Sequence, residues 1–81
     1  MLTEFNKNLI INIVGKNPEI LYTALYYHLN TQSHEKIKVI KDLQTLKRLG
    51  LITLTDKTII ATSEISLTVK GFKLFKSLNE E

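Results

Sequence analysis

The chain has 81 residues, enough for one domain, and 43% of them are apolar, enough for a single compact core. It contains no cysteine, which excludes a disulfide framework and a thiolate zinc site. Its longest apolar tract, residues 9–14, is interrupted by Asn12 and is too short for a signal peptide or a membrane span. A cytoplasmic protein without a cofactor is therefore expected.

The net charge of +3 is unevenly distributed along the chain. Residues 1–30 carry two basic and two acidic groups, whereas residues 31–79 carry nine basic and four acidic ones. Positive charge gathered in one part of a small protein favours a polyanionic partner such as DNA. A solvated lysine surface would give the same count, so charge alone leaves both interpretations open.

The first helix is predicted over residues 3–14, and Gly15 is expected to end it. Apolar residues recur at helical spacing and form its expected buried stripe: Phe5, Leu9, Ile10, Ile13 and Val14. Three amide side chains fall on the opposite side: Asn6, Asn8 and Asn12.

The second helix is predicted over residues 18–29. Asn17, Pro18 and Glu19 supply a capping side chain, a proline suited to the first helical position and an acid near the positive end of the helix dipole. The residues expected to be buried are Ile20, Leu21, Ala24 and Leu25.

The second helix also carries three tyrosines, Tyr22, Tyr26 and Tyr27. They fit either a surface for base stacking or dimerisation, or the edge of the core with hydroxyls that reach water; the second is the more ordinary use of tyrosine. His28 is more typical of a helix end than of a metal ligand.

The third helix is predicted over residues 33–49, after a polar turn at 30–33. One face is apolar: Val39, Ile40, Leu43, Leu46 and Leu49. The opposite face contains no acid: His34, Ile37, Lys38, Lys41, Gln44, Thr45 and Arg48. Glu35 and Asp42 fall towards the boundary. An apolar back with a basic, amide-bearing front suits insertion into the major groove of DNA, and it is also found in ordinary surface helices.

Two strands are predicted over residues 51–55 and 64–68 from their β-branched, alternating composition, and a last helix over 69–78. The loop between the strands carries Lys57 as its single basic residue and the apolar pair Ile59 and Ile60. This pair covers the domain, extends the strands or docks a partner; the sequence does not separate these three alternatives.

Two short motifs together specify a fold. Residues 46–52 read as an amphipathic helix that is closed by Gly50 and followed by a strand, because glycine tolerates the left-handed conformation at a helix end. Residues 67–71 read as a strand end whose Thr68 caps the last helix. Over residues 17–78 this order resembles the winged helix-turn-helix domains of small prokaryotic regulators of the MarR, PadR and ArsR type.

The resemblance implies an α+β, mostly α, winged helix-turn-helix domain of three helices, a β-hairpin wing and a C-terminal helix. It implies sequence-specific double-stranded DNA binding, with the third helix in the major groove, by a homodimeric transcriptional regulator. The DNA-binding residues would be Ser33, His34, Lys38, Lys41, Gln44, Thr45, Arg48 and, in the wing, Lys57. Apolar residues available for self-association are Phe5, Ile10, Leu74, Leu78, Ile59 and Ile60.

Two alternatives stay open: a winged-helix protein-interaction module, with a protein partner on the wing, and a DNA-binding adaptor in plasmid segregation or replication. An enzyme is not expected, because each catalytic signature fails at a named residue. His34 begins like a zinc-protease helix, but Lys38 stands where the second histidine is needed. Gly15 and Lys16 resemble the end of a phosphate loop, but Ile10 replaces its earlier glycine.

Overall fold

The computed structural model describes residues 2–30 and 36–79. These residues form an α+β, mostly helical arrangement of four helices and one three-stranded antiparallel sheet. In chain order the elements are α1 (Glu4–Lys16), β1 (Ile20–Leu21), α2 (Tyr22–Asn30), α3 (Lys36–Arg48), β2 (Ile52–Leu54), β3 (Glu64–Leu67) and α4 (Val69–Leu78). None of these helices combines the length and the apolar character needed to cross a bilayer.

The first helix extends one residue beyond the glycine that was expected to end it. Thr3 caps its start, where the threonine hydroxyl oxygen accepts from the N–H of Asn6 at 3.1 Å. Gly15 lies inside the helix, and a side chain there would overlap the ring of Phe75 in α4. Gly15 therefore permits close packing of α1 on α4, and the helix ends instead at Lys16.

The buried side of α1 differs from the predicted stripe. Ile10, Ile11 and Val14 are buried, whereas Phe5 is 68% exposed. Phe5 precedes Val14 by nine residues, which at 100° per residue places it half a turn away from the core-facing side. The prediction that Phe5 is buried is wrong, and Asn6, expected on the solvent side, is buried.

A short strand stands where the sequence pattern predicts the start of the second helix. Residues 17–19 form a turn in which Glu19 adopts a φ of 59°. β1 then pairs antiparallel with β3, with Ile20 opposite Ile65. Ile20 is buried and Leu21 is exposed, because neighbouring residues of a strand point to opposite faces.

The first turn of α2 is held by carbonyls from a distant part of the chain. The N–H groups of Tyr22 and Thr23 donate to the carbonyl oxygens of Ser63 and Ala61, at 2.8 and 3.1 Å. These acceptors satisfy two N–H groups at the start of α2, where a helix offers no acceptor of its own. The predicted start of the second helix at residue 18 is therefore wrong.

The tyrosines of α2 occupy three different environments. Tyr22 is buried, Tyr26 is half-buried and Tyr27 is exposed. The rings of Tyr22 and Tyr26 stack with their centroids 6.2 Å apart. Burial raises the pKa of Tyr22 above its ordinary value, and the neighbouring phenol of Tyr26 adds to this rise.

The β2–β3 hairpin is slightly shorter than predicted, with strands over residues 52–54 and 64–67, and it closes through the β2–β3 loop (residues 55–63). In this loop the carboxylate of Asp56 accepts from the hydroxyl of Ser63 at 2.9 Å. The Ser63 hydroxyl oxygen accepts in turn from the N–H of Ile60, also at 2.9 Å. Ile59 is buried and covers the domain, whereas Ile60 is 50% exposed.

The fourth helix spans Val69–Leu78, the residues over which the sequence predicts it, and it is tightly joined to the end of α3. Thr68 is its N-cap, as predicted: its hydroxyl oxygen accepts from the N–H of Gly71 at 3.0 Å. The same hydroxyl donates to the carbonyl of Gly50, and the N–H of Thr68 donates to the carbonyl of Leu51. One threonine thus starts α4 and binds the turn that follows α3.

The core lies between the helices and the buried face of the sheet. Its members from the helices are Ile10, Ile11, Val14, Tyr22, Leu25, Leu29, Val39, Leu43 and Leu46. Its members from the strands and loops are Ile20, Leu51, Ile52, Ile59 and Ile65. Residues from α3 make up part of this core, so the orientation of that helix is fixed by packing.

Candidate nucleic-acid interface

The third helix is anchored by a fully buried apolar side. Val39, Leu43 and Leu46 have almost no solvent exposure and pack into the core. The helix ends at Gly50, whose φ of 77° confirms the predicted left-handed closing residue. The N–H of Leu51 donates to the carbonyl of Leu46 at 3.1 Å, a bond that closes helices of this type. The helix is therefore anchored from Val39 to Leu46 and at its end.

Opposite this anchor lies a polar strip of four residues, the α3 strip: Lys41, Gln44, Thr45 and Arg48. Their spacing of three, four and seven residues from Lys41 puts them on one face of the helix. Lys41, Gln44 and Arg48 are exposed, and Thr45 is half-buried. The strip combines two permanent positive charges, an amide and a hydroxyl.

Within the α3 strip, Thr45 links the preceding turn to Arg48. Its hydroxyl donates to the carbonyl of Lys41 at 3.0 Å. The same hydroxyl oxygen accepts from the guanidinium Nη2 of Arg48 at 3.4 Å, a long bond that biases the arginine without fixing it. The remaining N–H groups of the guanidinium stay available for a bidentate contact.

Asp42 is buried, not at the boundary where the helical pattern placed it. Its exposed fraction is 3%, and its carboxylate Oδ2 lies 3.6 Å from the Nζ of Lys38. The pattern gives no signal of burial beyond the four-residue spacing of this pair, which allows an ion pair on a helix. Lys38, predicted as a DNA contact, is thus engaged in balancing a buried charge.

Two basic residues near the end of α3 were not among the predicted site residues; one belongs to α3 and the other to α4. Lys47 is exposed next to Arg48. Lys70, from the first turn of α4, donates from its Nζ to the carbonyl of Leu49 at 3.2 Å. A cation near the carbonyl end of a helix is favourable. For Lys47, its place beside Arg48 and shortly before Gly50 in the sequence could have indicated a basic helix end. For Lys70 no local pattern could have done so, because only the tertiary fold brings it to the end of α3.

Lys57 is exposed in the β2–β3 loop, on a different element from the α3 strip. The loop is tied to itself through Asp56 and Ser63 and to the start of α2 through backbone bonds. The loop is therefore held by hydrogen bonds within itself and to α2. Two predicted site residues, Ser33 and His34, and the side chain of Ile37 lie outside the described residues.

In the part of the chain that the structure describes, no group of three or more histidine or acidic side chains could hold a metal ion. No family model, curated protein or solved structure matches the chain.

Proposed function

We propose that the protein binds double-stranded DNA in a sequence-specific manner through the α3 strip. The observation that carries this proposal is the division of one helix into a buried apolar side and an exposed polar side. Val39, Leu43 and Leu46 hold the helix in the core, while Lys41 and Arg48 face solvent with no acidic residue between them except the buried Asp42. A rigidly anchored helix with an exposed cationic face suits docking in a DNA groove.

The dimensions of α3 suit the major groove. An α-helix with its side chains is about 10–12 Å across, and the major groove of B-DNA is about 12 Å wide. Seven residues separate Lys41 from Arg48, which corresponds to about 10 Å along the helix axis and to roughly three base pairs. One α3 strip therefore reads a short half-site.

The side chains of the α3 strip match the chemistry of base edges and phosphates. Arg48 offers the bidentate donor pair that recognises guanine, and Gln44 offers the donor and acceptor that recognise adenine. Lys41 and Lys47 supply point charges for phosphates or for guanine. In this assignment Thr45 restricts the conformations of Arg48 through the hydrogen bond described above.

The order of elements supports a winged helix-turn-helix arrangement for this function. α2 precedes α3, the β2–β3 hairpin follows it, and α4 binds the turn at its end. In this proposal α3 is the recognition helix and the hairpin is the wing. Because Lys57 is exposed in the β2–β3 loop, it is the wing residue assigned to phosphate contact.

We further propose that two copies act together, as in a transcriptional regulator. A half-site of about three base pairs gives little discrimination, and a two-fold dimer doubles it over half-sites about 10 base pairs apart. Phe5, exposed on α1, is available for such an interface. Ile10, considered for the same role from the sequence, is not available, because it is buried in the core. Light scattering tests the dimer: a 9.3 kDa species in the free state, with one copy of the chain per duplex in the complex, contradicts it.

The experiment that tests DNA reading is selection from a pool of randomised duplexes, followed by affinity measurements on the enriched site. Arg48→Ala should weaken binding by about 1–3 kcal/mol and relax the preference at one base position. Gln44→Ala should relax a neighbouring position. Lys16→Ala removes an exposed charge from α1 and serves as the control.

If Arg48→Ala and Lys16→Ala weaken binding equally, the α3 strip is not the reading surface. If no sequence is enriched and duplex DNA is not retained at low salt, the proposal of DNA binding fails. Thermal melts of each variant ensure that a loss of binding is not a loss of folding.

A further inference from the structure

An open groove lies between the end of α1 and the first turns of α4, away from the α3 strip in sequence and on other elements. Its volume is about 470 Å³. Val14 and Leu67 are among the apolar residues that line it, together with Pro18 and Glu19 of the turn after α1. Val69 and Phe72 line it from the α4 side. The proposed DNA contacts use none of these residues.

The α4 wall of the groove is an apolar surface that residues 2–30 and 36–79 leave uncovered. Val69 is 76% exposed and Phe72 is 52% exposed. They are three residues apart, on the side of α4 opposite Gly71 and Leu78, which face the domain. Adjacent exposed apolar side chains beside a concavity are typical of a docking site for another molecule.

The rim of this surface is positively charged. α4 carries three lysines and no acidic residue. Lys73 is exposed, and the Nζ of Lys76 lies 5.9 Å from the ring centroid of Phe72. Lys70 is turned towards the end of α3 through its bond to the carbonyl of Leu49. The two lysines nearest the exposed apolar pair are therefore Lys73 and Lys76.

The opposite wall of the groove carries a negative charge. Glu19 lines it from the turn between α1 and β1, where its φ of 59° is unusual for a residue with a side chain. An occupant would therefore meet cations along α4 and a carboxylate along the turn. The groove therefore has a basic side and an acidic side in addition to its apolar lining residues.

We propose that this groove docks a segment of a partner protein that presents apolar side chains with carboxylates along one flank. The apolar side chains would cover Val69 and Phe72, and the carboxylates would lie over Lys73 and Lys76. A second copy of the chain fits less well, because a two-fold pairing about Phe72 would bring Lys73 against Lys73. A small ligand fits less well too, since such sites usually enclose their ligand and this wall is open to solvent.

The test uses a designed helical peptide with leucine and phenylalanine one turn apart and glutamates along one flank. It is titrated into the isotope-labelled full-length chain, and amide shifts are followed by NMR. The shifts should concentrate at residues 67–76 and around residue 19. Val69→Ser and Lys73→Glu should each weaken binding by roughly threefold to tenfold or more. Glu19→Gln should strengthen binding of this acidic peptide.

Three controls make the result decisive. Lys57→Glu makes the same charge change in the β2–β3 loop and should leave peptide affinity unchanged. A second peptide with lysines in place of the glutamates should bind at least about tenfold more weakly. Thermal melts of Val69→Ser and Lys73→Glu should match the wild type, because both side chains are exposed.

The proposal is overturned if neither peptide shifts the groove amides, if both bind equally, or if Lys57→Glu weakens binding as much as Lys73→Glu. It is also overturned if the groove amides shift with protein concentration alone and Val69→Ser converts a dimer into a monomer. A second copy would then occupy the groove. DNA affinity is measured separately, since the docking proposal holds whether or not the α3 strip binds DNA.

Discussion

Replacing Gly71 by alanine should destabilise the protein, although alanine is the better helix former. A Cβ on Gly71 would lie 3.0 Å from the carbonyl carbon of Leu51 and closer still to its oxygen. These are backbone atoms that cannot turn aside, unlike a flexible side chain. Accommodation requires α4 to move away from the turn that Thr68 and Lys70 bind.

The size of the effect follows from opposing contributions. Overpacking costs about 1–3 kcal/mol, and weakening one or two hydrogen bonds of the joint costs about 1 kcal/mol each. The gain in helix propensity offsets at most about 1 kcal/mol. The net loss is therefore about 1–4 kcal/mol, with a middle value of about 2.5 kcal/mol, and for a domain of this size each kcal/mol lowers Tm by about 4–8 °C.

Urea unfolding monitored by circular dichroism measures this loss, and Gly50→Ala is the matched comparison. Position 50 has no atoms within 4 Å of a Cβ, so its cost comes only from the φ of 77°, about 1–2 kcal/mol. Gly71→Ala should therefore be the more damaging variant. If Gly71→Ala equals the wild type, or is more stable than Gly50→Ala, the close approach of α4 to Leu51 is refuted.

Four further outcomes are expected. DNA affinity should fall with salt with a log–log slope of about −3 to −4.5, for three to five phosphates per subunit; a flat response would contradict groove binding. Leu43→Ala should cost about 2–5 kcal/mol of unfolding free energy in urea melts, because the residue is fully buried. Lys38→Met should cost about 1–3 kcal/mol by leaving Asp42 buried and uncompensated, and Asp42→Asn in the same chain should restore most of that loss. The pKa of Tyr22 is raised on folding, so the folding stability that its neutral phenol contributes is intact below its unfolded pKa of about 10 and is lost as pH rises beyond that value. Tyr22→Phe should reduce this loss of stability at alkaline pH, as measured by thermal melts at a series of pH values.

Helix boundaries that are set by neighbouring residues could be predicted from the sequence. The end of α3 at Gly50 and the start of α4 at Thr68 depend on short-range backbone bonds, so a residue type with the right conformational or capping property was sufficient evidence. The apolar side of α3 followed from helical spacing in the same way: Val39, Leu43 and Leu46 are buried as expected. Leu49, predicted on the same side, is 48% exposed.

Features that depend on residues far away in the sequence could not be predicted. β1 exists because β3 pairs with it, and the local sequence at residues 17–19 also reads as a helix start. Phe5 belongs to an apolar helical pattern, yet the sheet and α4 determine which side of α1 is covered. Asp42 is buried because it lies about one turn from Val39 and from Leu46, which pack into the core. Lys41, Gln44 and Arg48 are exposed, whereas Lys38 forms an ion pair with the buried Asp42.

The bonds from the β2–β3 loop to α2 also set an order of assembly. The donors at Tyr22 and Thr23 precede their acceptors at Ser63 and Ala61 by about forty residues, so the start of α2 gains these two bonds only after the β2–β3 loop has been made. A ribosome that adds about 5–20 residues per second delivers those carbonyls roughly 2–8 s later. During that interval the first N–H groups of α2 depend on water, and the last third of the chain then supplies their acceptors.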